Sequence, residues 1–352
     1  ATGGTGGHIY PALALADAAK ERYGDIEILF VGNDDRMEAS EVPSHGYAFQ
    51  GLHASGLTEN VFNKCRALLL MMNCYRKACR IIDEFKPDIA IGFGGYVSAP
   101  VMLAAHHKHV ATMIHEQNSI VGVSNKMVAK YMDAIVICYE KCFEEFGREK
   151  TRLLGNPRAT NAVHAKFDRD YFLSLGLSLH KPLILVVMGS LGSTSVNAIM
   201  KDALPAVSER YQILFVTGKN NYEEMRKQIH APHVKVVDYV KQLDIMAHVD
   251  LIVCRAGATT AAEITALGTP SILVPSPYVA HNHQFYNASV LVDHKAAVML
   301  EEKDLNAEAL SNAIDRIMSD DLLRASMHSA SLALGKPNAS EDILNWCDEM
   351  KR

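Results

Sequence analysis

Short runs of Val, Ile, Leu and Ala, bounded by Gly, Asn, Pro or charge, alternate along this chain with longer stretches of helical periodicity. Such alternation is the mark of βαβ units, and parallel strands covered on both faces read as nearly continuous apolar runs. The spacing predicts strands at 26–31, 88–93, 111–115, 134–138 and 152–154, then at 183–188, 212–217, 234–237, 251–254, 271–274 and 297–300. Helices are expected between them, at 11–22, 196–207, 259–267 and 282–292. The fold class is α/β with doubly wound parallel sheets. With 352 residues, 49% of them hydrophobic, the chain is long enough for two such domains. Gly155-Asn156-Pro157-Arg158 ends a strand in turn-forming residues, and a fresh strand starts after Leu179. We therefore expect one Rossmann-like domain over 1–160 and another over 161–336. The tail, 337–352, reads as a last helix that is open to either domain and is assigned to the first.

A net charge of −5 without blocks of like charge argues against a general nucleic-acid binder. Seven scattered cysteines with no C-x-x-C pair point to a reducing cytoplasm. No apolar run approaches the ~20 residues of a membrane-spanning helix, and no signal segment opens the sequence. Only Ala1 and Thr2 precede the first glycine turn, where a strand is expected, so the sequence reads as starting inside a longer natural chain.

Three glycine loops stand where strands lead into helices: Gly3-Gly4-Thr5-Gly6-Gly7-His8, Gly92-Phe93-Gly94-Gly95-Tyr96, and Gly189-Ser190-Leu191-Gly192-Ser193. Strand-end loops with unpaired amides at a helix start attract phosphate. None ends in Gly-Lys-Ser/Thr, which excludes a P-loop, and the dinucleotide pattern begun at Gly4 fails at Ile9. Asp34 or Asp35 still leaves a nicotinamide-dependent oxidoreductase as a distant alternative. A fourth constellation follows Cys254: Arg255-Ala256-Gly257-Ala258-Thr259-Thr260-Ala261-Ala262-Glu263, then His281-Asn282-His283-Gln284. Glu263, one turn inside the helix, either accepts from two sugar hydroxyls or complements the helix dipole for about 0.3–1 kcal/mol.

Together the motifs GGTGGH (3–8), GGYVSAP (94–100), HEQN (115–118), GNPR (155–158), GSLGS (189–193), CRAGATTAAE (254–263) and HNHQFYNA (281–288) resemble the bacterial MurG glycosyltransferase family. The resemblance runs from residue 3 to about 340. It implies a GT-B enzyme, two Rossmann-like domains facing across a cleft. Such a hexosyltransferase moves N-acetylglucosamine, with inversion, from UDP-N-acetylglucosamine to the 4-hydroxyl of undecaprenyl-linked lipid I. The product is lipid II for peptidoglycan synthesis. By resemblance, Gly6, Gly7, Gly94, Gly95 and Tyr96 face the acceptor diphosphate. Thr5, Gly6, Gly7, Asn118, Arg158, Ser190, Ala258, Thr259, Thr260, Ala261, Ala262, Glu263 and Gln284 contact the donor, and the backbone of Val240 reads the uracil. Met188 stands where relatives carry glycine, and His283 where some carry glutamine. No cofactor is expected to be essential, because GT-B enzymes meet the charge of the leaving UDP with amides and cationic side chains.

Attack by a hydroxyl requires loss of its proton, and a positioned base is worth ~10²–10⁴-fold. His8 is the first candidate, because imidazole titrates near neutrality, and Glu116 is the second. His8 alternatively caps the helix or donates to the diphosphate. Asp168-Arg169-Asp170 reads as a solvated charge cluster, and His106-His107-Lys108-His109 lacks partner ligands at the spacing a metal site needs. A lipid acceptor calls for a membrane surface on the protein. Leu68, Leu69, Leu70 and Met71, edged by Arg76 and Lys77, form either an anionic-membrane contact or a buried helix of the first domain. The implied location is the cytoplasmic face of the bacterial plasma membrane, held peripherally. A related glycolipid synthase and a nucleotide-sugar epimerase are the alternatives.

Overall fold

The computed structural model describes residues 1–54, 61–188 and 194–351, with the side chains of 61–68 and 194 outside that set. The chain divides into two compact units, Ala1–Arg158 with Asn338–Arg352, and Ala159–Pro337.

In the first unit, β1 (Leu29–Asn33) pairs in parallel with β2 (Ala48–Leu52). A second parallel ladder runs in the order β3 (Ile89–Gly92), β4 (Ala111–Glu116), β5 (Ala134–Ile137) and β6 (Thr151–Leu153). Ala1 and Thr2 join the two ladders. Ala1 N donates to Ile91 O (2.7 Å), Phe93 N to Ala1 O (2.8 Å), and Thr2 N to Val31 O (3.1 Å). From residues 1–2 the chain builds first to one side, through β1 and β2, then crosses to the other and builds β3 to β6. That reversal is a topological switch point, the place where open α/β sheets bind ligands.

The helices of this unit are α1 (Gly6–Tyr23), α2 (Glu38–Ser44), α3 (Val61–Phe85), α4 (Ser98–His107), α5 (Val123–Val128) and α6 (Phe143–Phe146). One face of α1, with Ile9, Leu13 and Ala16, packs on Phe30, Met113 and Val136 of the sheet. On α3, Cys74, Ala78 and Ile82 repeat at four-residue spacing and pack on Val97, Val101, Ala104 and Ala105.

Helix α7 (Pro157–His164) carries the chain into the second unit. There α8 (Arg169–Ser174) precedes a six-stranded parallel sheet. Its strands are β7 (Leu183–Val187), β8 (Gln212–Val216), β9 (Val234–Val237), β10 (Leu251–Cys254), β11 (Ser271–Leu273) and β12 (Ala297–Met299), ordered β12-β11-β10-β7-β8-β9. The switch point lies between β7 and β10, whose carboxyl ends lead to residues 189–193 and to the Arg255 turn. The covering helices are α9 (Thr194–Ala203), α10 (Tyr222–Gln228), α11 (Leu243–Met246), α12 (Ala258–Leu267), α13 (His283–Asp293), α14 (Ala307–Ser319) and α15 (Asp321–Leu334). Asp168, Asn306 and Asp320 cap α8, α14 and α15 by accepting from Tyr171, Ala309 and Leu323 N, each at 2.9 Å. Such caps contribute about 1 kcal/mol each. The Asp-Arg-Asp triplet is thus the start of a helix.

The last helix, α16 (Ala339–Met350), returns to the first unit. Its Ile343, Leu344 and Trp346 enter the core around Ile9 and Leu13, and Asp348 receives Arg22 and Tyr23, both at 2.8 Å.

Two features differ from the sequence-based expectation. The edge strand β2 is mostly exposed and carries Gln50 and Gly51, so it lacks an apolar run to announce it. Helix α1 begins at Gly6, five residues ahead of the expected start at Pro11, because the glycines open the helix instead of preceding it.

Candidate active site

At the switch point of the first unit, two glycine loops meet backbone to backbone. Gly4, Gly94 and Gly95 all adopt the left-handed region, with φ of +92°, +97° and +86°. A Cβ on Gly95 would overlap the carbonyl oxygen of Gly3, and one on Gly94 would come within 3.1 Å of the His8 imidazole. The loops therefore need glycine for closeness as well as for φ. Thr5 is the N-cap of α1 but makes no side-chain cap, so the first-turn amides of Gly6 and Gly7 have no side-chain acceptor from the cap.

His8 sits in that first turn, half-buried. Its Nδ1 lies 3.0 Å from Gly3 O and 3.4 Å from Thr5 Oγ1. A carbonyl oxygen only accepts, so Nδ1 carries the proton and Nε2 the lone pair in the neutral ring. Tyr96, on the second loop, is exposed. Among the buried residues, Glu38 accepts from Gly4 N (3.1 Å) through Oε2 and from Asn33 N (2.9 Å) through Oε1.

The end of β4 supplies His115 and Glu116, both buried. His115 bonds Gly155 O through Nε2 (3.0 Å), accepts from Gln117 Nε2 at Nδ1 (3.0 Å), and stacks on Phe93 at 5.2 Å between centroids. It thereby ties the HEQN segment to the GNPR segment. Burial lowers its pKa to about 4. Glu116 is committed to the following turn. Its Oε1 accepts from Asn118 N (3.1 Å), and its Oε2 from Gly122 N and Asn125 Nδ2, both at 2.9 Å. Burial raises the Glu116 pKa, and these hydrogen bonds oppose the rise. A carboxylate so engaged organises a loop. Asn118 and Arg158 lie on the segments this network holds, and the Arg158 guanidinium stands 5.9 Å from the Tyr10 ring.

His115 makes a stability prediction. The unfolded imidazole titrates near 6.5 and the folded one at about 4, so between these values the unfolded chain binds the extra proton. Stability from this group is intact above pH 6.5 and is lost as pH falls toward 4, about 3 kcal/mol in all. Urea denaturation at several pH values in this window should give a shallower acid slope for His115→Gln, by about one proton. Equal slopes would contradict the assignment.

In the second unit, α12 starts after the extended N-cap Gly257, which provides no side-chain cap, so the amides of Ala258, Thr259 and Thr260 open the helix. Ala261 N closes the first turn on Gly257 O, and Ala262 follows it in the helix. Glu263 is buried, and its Oε2 accepts from Gln242 Nε2 (3.2 Å), which links the α12 turn to the segment holding the buried Val240. Arg255 is held by Val274 O (3.1 Å) and by Glu302 (2.9 Å), whose other oxygen receives Ser195 Oγ (2.8 Å). Gln284 Oε1 accepts from Ser276 N (2.9 Å), closing a loop in which His281 and Asn282 both have positive φ. Ser190 and its glycine loop lie outside the described residues.

Residues 1–137 match the glycosyltransferase family 28 N-terminal domain, and residues 183–343 its C-terminal domain. The chain belongs to glycosyltransferase family 28. Within that family it is similar to the MurG enzymes. A Limosilactobacillus reuteri protein named UDP-N-acetylglucosamine--N-acetylmuramyl-(pentapeptide) pyrophosphoryl-undecaprenol N-acetylglucosamine transferase is 42% identical, over 97% of this chain and 95% of the relative. Its Bacillus subtilis namesake is 37% identical, over 99% and 98%. The fold matches the crystal structure of Acinetobacter baumannii MurG with a TM-score of 0.80 at 24% identity, covering 98% and 97% of the two chains. This family 28 chain is therefore a sugar transferase with the two-domain GT-B fold.

Each unit of the family 28 chain gathers its own set of expected site residues at a switch point. His8, Gly6, Gly7, Gly94 and Gly95 converge in the first; Ala258 to Glu263 and Val240 are linked in the second. Sequence reasoning passed over Glu38, Gln117, Asn125 and Gln242. Gln117 lies inside the HEQN motif; the other three are ordinary polar residues whose burial and partners arise only from the fold. Asp34, the other acidic candidate, is exposed and pairs with His53 at 3.1 Å.

Helix α3 has one packed face and one exposed face along its apolar stretch. Its inward face is packed, while Leu69 is 67% and Met72 46% exposed, beside exposed Arg76 and Lys77. Leu70 and Met71 are half-buried, and the side chain of Leu68 lies outside the described residues. Among the described residues, no helix is long and apolar enough to cross a membrane.

Proposed function

We propose that this family 28 enzyme transfers N-acetylglucosamine from UDP-N-acetylglucosamine to the 4-hydroxyl of MurNAc-pentapeptide-pyrophosphoryl-undecaprenol, lipid I, with inversion, to give lipid II. The donor diphosphate meets the α12 amides of the second unit, Glu263 a sugar hydroxyl, Gln284 and Arg158 the rest of the donor, and Val240 the uracil. The acceptor diphosphate lies on Gly6, Gly7, Gly94, Gly95 and Tyr96. The observation that carries the chemistry is the His8 to Gly3 hydrogen bond, because it leaves the lone pair on Nε2, the nitrogen that takes the hydroxyl proton. Glu116 then serves as a positioning residue for Asn118. The UDP leaving group is met by amides and Arg side chains, with no essential cofactor. Leu69 and Met72, flanked by Arg76 and Lys77, hold the protein peripherally on the anionic cytoplasmic face of the plasma membrane.

Incubation with labelled UDP-N-acetylglucosamine and a short-chain lipid I analogue tests the reading. Labelled disaccharide lipid and UDP should appear together, and only when acceptor is present. Conversion of the nucleotide sugar without acceptor would instead mark an epimerase, and nicotinamide-dependent absorbance an oxidoreductase.

A further inference from the structure

We infer that Glu38 is a positioning residue for His8, acting through the single peptide group between Gly3 and Gly4. The inference rests on His8 as the base. That peptide is one planar, conjugated unit. Its N–H, on Gly4, donates to Glu38 Oε2 (3.1 Å); its C=O, on Gly3, lies 3.0 Å from His8 Nδ1. Carboxylate, amide and imidazole thus form one chain of hydrogen bonds, with Glu38 fully buried at its far end. A negative group on the N–H side of an amide polarises it and makes the carbonyl a stronger acceptor, and buried networks strengthen such coupling.

The consequence falls on the reacting step. As the sugar bond forms, the acceptor hydroxyl proton moves to Nε2 and positive charge spreads over the ring while Nδ1 keeps its own proton. The bond to Gly3 O tightens, and the Glu38 carboxylate stabilises the new charge across one peptide. The relation is that of a carboxylate orienting a catalytic histidine, with an amide interposed. Thr5 Oγ1 and Gly94 also lie near the ring, and His115 is close enough to sense its charge.

The packing leaves this chain no slack. A Cβ on Gly3 would overlap Glu38 Oε1, one on Gly32 would lie 2.6 Å from Glu38 Cγ, and one on Gly95 would overlap Gly3 O. Three glycines enclose one carboxylate and one peptide. Asn33 N occupies the second carboxylate oxygen, so Glu38 cannot turn away without releasing both the Gly4 and the Asn33 N–H, the latter buried.

Glu38→Gln tests this, since an NH2 group must then face one of the two N–H donors. We expect kcat to fall 10–100-fold with the donor KM changed less than about 3-fold. The acidic limb of the kcat profile should move to lower pH, because the imidazolium has lost its counter-charge. Glu38→Asp, which keeps the charge, should restore part of that limb. ¹⁵N spectra of the His8 ring, assigned with His8→Gln, should show the Nδ1–H tautomer in the wild type. An unmoved limb in Glu38→Gln overturns the inference. So does an Nε2–H tautomer in the wild type, a measurement that needs no variant to fold. If His8→Ala is inactive while the Glu38→Gln profile is unmoved, only the relay fails. If His8→Ala stays active, the base assignment itself fails.

Discussion

His8→Ala should lower acceptor-dependent turnover by ~10²–10⁴-fold, the usual contribution of a positioned base. The effect should lie in kcat, because the donor contacts of the second unit do not include the ring. The wild-type rate should rise with pH along an acidic limb, since only the neutral imidazole accepts the hydroxyl proton, and the variant should lack that limb. His8→Gln is the sharper control. It keeps a polar group in the first turn for a diphosphate but supplies no base, so turnover should remain low. Nearly full turnover with an unchanged pH profile in either variant would remove His8 from the chemistry, leaving it a helix-start residue.

Gly95→Ala should be the most damaging single methyl group in the first unit. Two costs add. The backbone at φ +86° is unfavourable for alanine by about 1–2 kcal/mol, and the new Cβ meets the Gly3 carbonyl, which is backbone and cannot swing aside. We expect a total loss of about 2–4 kcal/mol by urea denaturation. Because the displaced carbonyl holds His8, turnover should fall by at least ~10²-fold even in the folded fraction. Gly24→Ala is the comparison. Gly24 has φ +67° but nothing within 4 Å of where the methyl would stand, so only the conformational cost should appear, with activity unchanged. Equal stability losses in the two variants would show that crowding at Gly3 is not what requires glycine at 95.

What the sequence disclosed and what it withheld divide along a physical line. Buried strands such as 183–187 and 251–254 are contiguous apolar runs, so composition alone outlines them. The exposed edge Ala48–Leu52 takes its identity from pairing with Leu29–Asn33, a non-local fact. The glycine loops are legible because the requirement for positive φ is local. The switch points are not, since they depend on strand order and on Ala1 and Thr2 bridging two ladders. Glu116 invites the reading of a base because it is a carboxylate in a motif; its hydrogen bonds come from residues up to nine positions away that only the turn brings near. Glu38 carried no signal at all, being one glutamate among several polar neighbours until burial singles it out.

The return of α16 to the first unit makes the second unit an insertion within the first. During synthesis the ribosome completes residues 159–337 before it releases the helix that fills the space around Ile9 and Leu13. The later-numbered body is the one free to mature early, while the earlier one waits, part of its hydrophobic interior uncovered, for residues 338–352. A chain cut before residue 338 would thus cripple the amino-terminal half of the enzyme.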